Sequence, residues 1–274
     1  MFKVKYILFL FASLFSIDLA AQLPSAEVVG GVSYIQVLSF PGEDPVENNY
    51  DFFFSQSQGL FIRQNESEHR AGNGLKPEVN ETEEGTSVSY DFSTEHRWPM
   101  HTDVTNEEVL QEVILFSRGK NQEYLVKEKK FPVRWKLTQE EKNIGSILCR
   151  KATGFFRGRE YIAWYAPEIP VRLGPWKFEG LPGLILEIYD TRKHVFFSAT
   201  SVQLPLAVTE LPDTWLTAKK EVQVISLKEC VAITRNQKDE AVQAIMARLP
   251  RGAVLELEDK EPNKIETSYE FDHE

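Results

Sequence analysis

Cysteine, histidine and methionine are scarce in this chain. Two cysteines, five histidines and three methionines are spread over 274 residues. The two cysteines, Cys149 and Cys230, are far apart, so no Cys-x-x-Cys metal or redox spacing exists. His69, His96, His101, His194 and His273 include no His-Glu-x-x-His pair. No Gly-x-Ser-x-Gly elbow and no glycine-rich phosphate loop is present either. After the first twenty residues no apolar run is long enough to span a bilayer as a helix, so an integral membrane protein is not expected. Positive charge is also in deficit: the formal net charge is −10, which argues against a nucleic-acid partner.

The N-terminus does carry an apolar run. Lys3 and Lys5 precede Tyr6 to Ile17, and Leu19-Ala20-Ala21 supplies small residues before Gln22. That order reads as a secretory signal peptide over residues 1–21. The remaining 22–274 read as one domain, exported to the periplasm or the outer-membrane surface. Outside the cytoplasm a Cys149–Cys230 disulfide is permitted. It would close a loop of about 80 residues and contribute roughly 3–5 kcal/mol; the alternative is two buried thiols.

Strand signals dominate the rest. Tyr50 to Phe54 and Leu60 to Arg63 flank a polar loop, as do Val109 to Phe116 and Glu123 to Val126. Ile144 to Thr153 faces Glu160 to Tyr165 across Phe156-Arg157-Gly158-Arg159, and Leu184 to Tyr189 faces His194 to Val202. Thr86 to Phe92 alternates with Val88, Tyr90 and Phe92 on one face. Residues 66–85 read as a flexible loop, Thr138 to Asn143 as a polar turn, and 256–274 as an acidic tail that frays. One amphipathic helix is expected over Glu240 to Leu249, with Asn236 as its N-cap. Successive hairpins with one late helix predict an all-β, mainly antiparallel fold. The expected form is a curved half-barrel or bowl-like sheet carrying a C-terminal helix, similar in topology to the bowl sheets of periplasmic lipoprotein carriers.

Between two of these strands stands the run Gly174-Pro175-Trp176-Lys177-Phe178-Glu179-Gly180-Leu181-Pro182-Gly183-Leu184-Ile185. Gly174, Pro175, Gly180, Leu181, Pro182 and Gly183 read as a structural motif of two turns. Pro182 suits position i+1, and Gly183 the positive φ of i+2 in a type II turn. Upstream lie Trp135-Lys136-Leu137-Thr138, Cys149-Arg150-Lys151-Ala152-Thr153 and the segment from Phe156 to Pro170. Together these resemble the GLPGLI family, envelope proteins of Bacteroidetes-type bacteria. The resemblance implies a β-rich bowl and, by association, work alongside a TonB-dependent outer-membrane transporter.

Candidate sites are few. His96 and His101 are five residues apart and interrupted by Pro99, which is not a metal-ligand spacing. Cys149 sits mid-strand among apolar neighbours, where cysteine behaves as a small hydrophobe. Arg157, Arg159, Trp164, Arg172, Trp176 and Lys177 form a basic, aromatic group on an acidic chain. Arginine and tryptophan are frequent interface anchors, so these six are the candidate partner surface. Their alternative role is structural, with the tryptophans in the core and the arginines solvating a turn. The sequence therefore favours a non-catalytic binding or assembly factor that needs no metal or cofactor. A secreted hydrolase with scattered catalytic residues and a carrier of an apolar ligand in the bowl are the alternatives. If the export signal is correct, the secreted protein starts at or near Gln22, and an intact-mass measurement of that fraction shows loss of residues 1–21.

Overall fold

The structure, a computed structural model, describes residues 30–64, 77–82, 85–90, 95–117, 120–206, 222–236 and 265–272. Residues 1–21 and the segment 240–249 lie outside them.

The chain forms a curved, open sheet. Its strands are β1 (Gly30–Leu38), β2 (Val46–Phe54), β3 (Gln58–Arg63), β6 (Glu95–Asp103), β7 (Glu108–Ser117), β8 (Lys120–Lys129) and β9 (Lys136–Ile144). They continue with β10 (Ile147–Phe156), β11 (Arg159–Ala166), β12 (Leu184–Asp190), β13 (Val195–Gln203) and β14 (Gln223–Ser226). These twelve lie in the order β14-β8-β7-β6-β3-β2-β1-β13-β12-β11-β10-β9. All pairs are antiparallel except β14 with β8. β4 (Pro77–Thr82) and β5 (Gly85–Tyr90) make a separate two-stranded hairpin. Register breaks at Ser33/Tyr34, His96/Met100, Arg150/Ala152 and Trp164/Tyr165 each admit an irregularity, and such bulges bend a sheet.

One face of the sheet is covered. Tyr34, Phe52, Phe61 and Phe197 pack together on it, and Phe197 meets Phe178 from the 167–183 connection, their centroids 6.3 Å apart. Ile169, Val171, Leu173, Trp176, Phe178 and Leu181 all come from that connection and are all buried in the same apolar cluster. Its ends are tied to the sheet start by backbone bonds from Leu184 N to Ile169 O and from Ile185 N to Leu173 O, at 3.0 and 3.1 Å. The glycine-proline segment is thus a plug lying on the inner face, not a loop in solvent. The bowl is filled by the protein's own side chains.

Two local expectations change. Thr138 to Asn143 is strand rather than turn, inside β9, and the turn falls at Gly145 with φ 59°. β9 is an edge strand, mostly exposed, so its side chains carry no apolar alternation and only the ladder to β10 defines it. Residues 77–82, within the expected loop, pair with β5, whose alternating backbone needs a partner for its N–H and C=O groups. A helix, α1, begins at 227 and is described as far as 236, while the helix expected over 240–249 lies outside the described residues. α1 opens with a capping box in which Glu229 N donates to Ser226 Oγ at 3.2 Å and Ser226 N donates to Glu229 Oε2 at 2.7 Å. Asn236, expected as the N-cap of a helix over 240–249, is itself helical, at the last described residue of α1.

Gly183 also has a different reason for being glycine. Its φ of 159° is at the margin of extended backbone; within the motif, the left-handed demand falls on Gly180, at 93°. A Cβ on Gly183 would stand 2.2 Å from Ala166 O and 2.7 Å from Ala166 C, atoms that cannot yield. Gly183→Ala is therefore expected to destabilise the fold by about 1–3 kcal/mol through overpacking. Gly31→Ala, whose Cβ meets only ordinary contacts near 3.6 Å, serves as the control. Urea denaturation of both variants checks this; equal midpoints would refute it.

Candidate functional site

The two-residue turn between β10 and β11 organises the site. Arg157 and Gly158 both have positive φ, 44° and 86°, the pattern of a type I′ hairpin turn closed by Phe156 and Arg159. A turn normally offers its side chains to water. Here Arg157 is 5% exposed and Arg159 8%, because other segments close over them.

Arg157 is surrounded by three carboxylates. Its guanidinium binds Glu128 of β8 and Glu266, and Nε donates to Glu270 Oε1 at 3.0 Å. Lys177, from the covering connection, reaches Glu128 Oε2 at 2.7 Å and Glu266 Oε1 at 3.0 Å. Two buried cations thus face three carboxylates, two of which come from residues 265–272. Arg159 forms a neighbouring set, with Nη1 3.1 Å from Asp190 Oδ2 and 3.3 Å from His194 Nδ1, and Nε donating to Ile265 O at 3.0 Å. Lys130 pairs with Glu179, whose carbonyl accepts from Trp135 Nε1 at 2.7 Å.

Burial and pairing oppose each other at each charge. Burial alone would lower the Arg157 guanidinium, but Glu266 and Glu128 outweigh it and raise it above its ordinary value. Lys177 is likewise pulled down by burial and, on balance, held up by Glu128 and Glu266. Burial pushes the Glu266 carboxyl up, while Lys177 and Arg157 more than reverse this and leave it below the usual range. All three therefore stay charged inside the protein.

The six expected surface residues do not form a surface. Arg157 and Lys177 come together, Arg159 lies beside them, and all three are buried. Trp176 packs edge-on against Phe178 and Phe156 at 5.1 and 5.9 Å. Trp164 is 8% exposed, with Lys142 Nζ 4.5 Å from its ring centroid. Only Arg172 is exposed, donating to Gly180 O at 3.1 Å. The tryptophans fill the interior as the structural alternative required, but Arg157 and Arg159 are buried ions and do not solvate a turn. The tail is corrected as well: 265–272 docks instead of fraying, because its carboxylates are the counter-ions of buried cations.

Glu128, Glu266 and Glu270 were missed. Glu128 had a signal, since Tyr124, Val126 and Glu128 share the buried face of β8 by the two-residue period. Ile265, Tyr269 and Phe271 were the hint in the tail, being apolar residues in a segment otherwise read as solvated.

Other candidates separate. Cys149 and Cys230 are free, buried in different apolar clusters, and pushed up to about 11 by burial. His101 lies opposite Leu110 on β7 and is lowered by burial. The side chain of His96 lies outside what is described. Among the described residues no group of three His, Cys, Asp or Glu side chains could hold a metal ion. No helix among them is long and apolar enough to cross a membrane.

Residues 156–187 match the model of a family described as "Protein of unknown function (Porph_ging)", in agreement with the GLPGLI resemblance. That match begins at the turn and ends in β12, so it spans the Arg157, Arg159 and Lys177 cations. No curated protein matches the chain. Two solved structures of PNGF-II, in P21 and C2 space groups, match with a TM-score of 0.50 each and identities of 15% and 17%. Each match covers 76% of this chain and 33% of that one, so the chain spans about a third of those structures and shares their fold over that part.

The Glu266 linkage has a definite sign. Its folded value is below the ordinary 4.5, so its contribution to stability is full above that value and is lost as pH falls through the depressed folded value. Glu266→Gln should cost about 1.5–3 kcal/mol at pH 7 by removing the charge-assisted bonds to Arg157 and Lys177. The gap between wild type and variant should narrow progressively below about pH 4.5. Denaturation curves of both proteins across pH 7 to 3 test this; a gap that stays constant would contradict it.

Proposed function

We propose that the chain is a non-catalytic, exported protein of the cell envelope that binds or assembles with another envelope protein, an outer-membrane transporter being the expected class of partner. One observation carries the reading: the buried cations of the signature segment are spent on carboxylates of β8, Asp190 and the tail. Arg157, Arg159 and Lys177 each hold a carboxylate in the interior. Catalysis needs groups held toward a place where a substrate atom can sit. Both thiols stand near 11 and would be protonated at neutral pH, which removes the most reactive nucleophiles from consideration. Export rests on the order of residues 1–21, and the transporter on the family resemblance. The carrier alternative has less support, because residues 169–181 cover the inner face with buried apolar side chains.

Tagged full-length protein purified from envelope fractions, with mass spectrometry of what co-elutes, tests the proposal. The expected result is one or a few specific envelope proteins recovered in near-stoichiometric amount. Recovery of none, together with substrate turnover by the purified chain, would replace the binding reading with an enzymatic one.

A further inference from the structure

We propose that the groove between the β10–β11 turn, Lys177 and Glu128 is a receptor for an acidic, turn-ended segment with two carboxylates four residues apart, filled here in cis by residues 265–272 and able to take such a segment from a partner chain. The inference rests on the reading that this protein works by binding another protein.

The groove is built for an occupant. Gly158 has no side chain, and a Cβ there would stand 2.0 Å from Thr267 Oγ1 and 3.2 Å from Ser268 N. The Arg157 carbonyl, turned outward by the left-handed backbone, accepts from Thr267 N at 3.0 Å and Ser268 N at 3.4 Å. Arg157 binds Glu266 and Glu270, Lys177 binds Glu266, and the Tyr269 ring lies 5.5 Å from the Arg157 guanidinium. Around this pair the sheet itself contributes Glu128, one carboxylate for two cations. Without an acidic occupant the site would hold two cations against one carboxylate. An anion is therefore part of the design of the groove. A single ion is insufficient, because backbone and aromatic contacts are made alongside it.

The occupant is held by exchangeable contacts. Residues 265–272 add no strand to the sheet, and of these residues Ile265 alone packs against the main apolar core. Tyr269 and Phe271 stack on each other at 5.2 Å, Lys228 of α1 lies 5.8 Å from the Phe271 ring, and Arg235 holds Asp272 at 2.8 Å. Segments fastened by polar contacts with little apolar burial open well below the free energy of global unfolding. Recognition of acidic motifs by clustered cations is an established mode of peptide binding. The tether sets the competition: a linked segment acts at roughly millimolar effective concentration, so a partner segment enters when the tail is released or outcompeted.

The test keeps the full chain. A protease site introduced between residues 250 and 260 is cut once in the folded protein, and the probe is a fluorescent synthetic peptide of residues 263–274. The cut protein should stay folded, retain its tail fragment, and exchange it for the peptide. A peptide with Glu266→Gln and Glu270→Gln should bind about 100-fold more weakly. The uncut protein should bind the probe far less than the cut one. Unfolding on cutting, failure of excess peptide to displace the fragment, or equal binding of the glutamine peptide would each overturn the proposal. Gly158→Ala, which fills the space over Thr267, should weaken peptide binding to the cut chain. If an envelope partner co-purifies equally well with uncut Gly158→Ala protein, the groove is not its docking place, and the broader binding reading stands without it.

Discussion

Two buried cations constrain everything around them. Arg157, in the β10–β11 turn, and Lys177, in the covering connection, are both buried, so their carboxylates must be brought to them. Those carboxylates come from positions 29, 109 and 113 residues away from Arg157. The pairing ties β8, on the far wing of the sheet order, to the β10–β11 hairpin and to the end of the chain. A buried ion set is weak evidence for stability, since a well-packed apolar replacement can do as well or better. Its physical consequence is selectivity: an uncharged segment laid in the same place would strand the cations, so only an acidic one is tolerated.

The signature residues, spread from Trp135 to Asp190, behave as one contact set built on close approach. Trp135 lies where Gly154 has no side chain, a Cβ there being 2.8 Å from the indole, and its Nε1 donates to Glu179 O beside Gly180. Gly174 lies against Ile185 and Gly183 against the Ala166 backbone. Gly174 and Gly183 each remove a methyl that would hold the covering connection off the sheet, and Gly154 removes one that would hold Trp135 off β10. A motif rich in glycine, proline and tryptophan without reactive groups is therefore accounted for by packing, and the sheet face it covers becomes core.

Much of the fold was legible for local reasons. The β2–β3, β7–β8, β10–β11 and β12–β13 hairpins each have one apolar face and a turn-forming break, so periodicity and turn chemistry agree. β9 was hidden because an edge strand wetted on both faces has no periodicity, and Thr138, Gln139 and Glu140 look like any polar turn. The candidate cations were found by composition, but their burial was not. Exposure of an arginine depends on what folds over it, and here that cover comes from residues more than a hundred positions later. Glu128 was readable from its alternation with Tyr124 and Val126, as a carboxylate on an apolar face that must have a partner.

An open sheet also has to protect its edges, and how it does so bears on where a partner can attach. β14 is four residues long and runs directly into α1, which leaves little edge to extend. β9 carries charges engaged with its own neighbours: Glu140 with Lys151, Glu141 with Arg150, and Lys142 with Glu187, at 2.9, 3.0 and 2.6 Å. Edges that are short or charged discourage strand addition. The face opposite the core offers an open concavity lined by Val37, Glu187, Tyr189, Lys193 and Phe196, with no fixed polar constellation comparable to the ion set. Recognition by ladder pairing is thus disfavoured at both edges. The groove at the β10–β11 turn differs because its occupant is held by carboxylates and backbone amides outside the ladder. A protein that closes its sheet edges while leaving an acidic segment on such fastenings places its adjustable contact there.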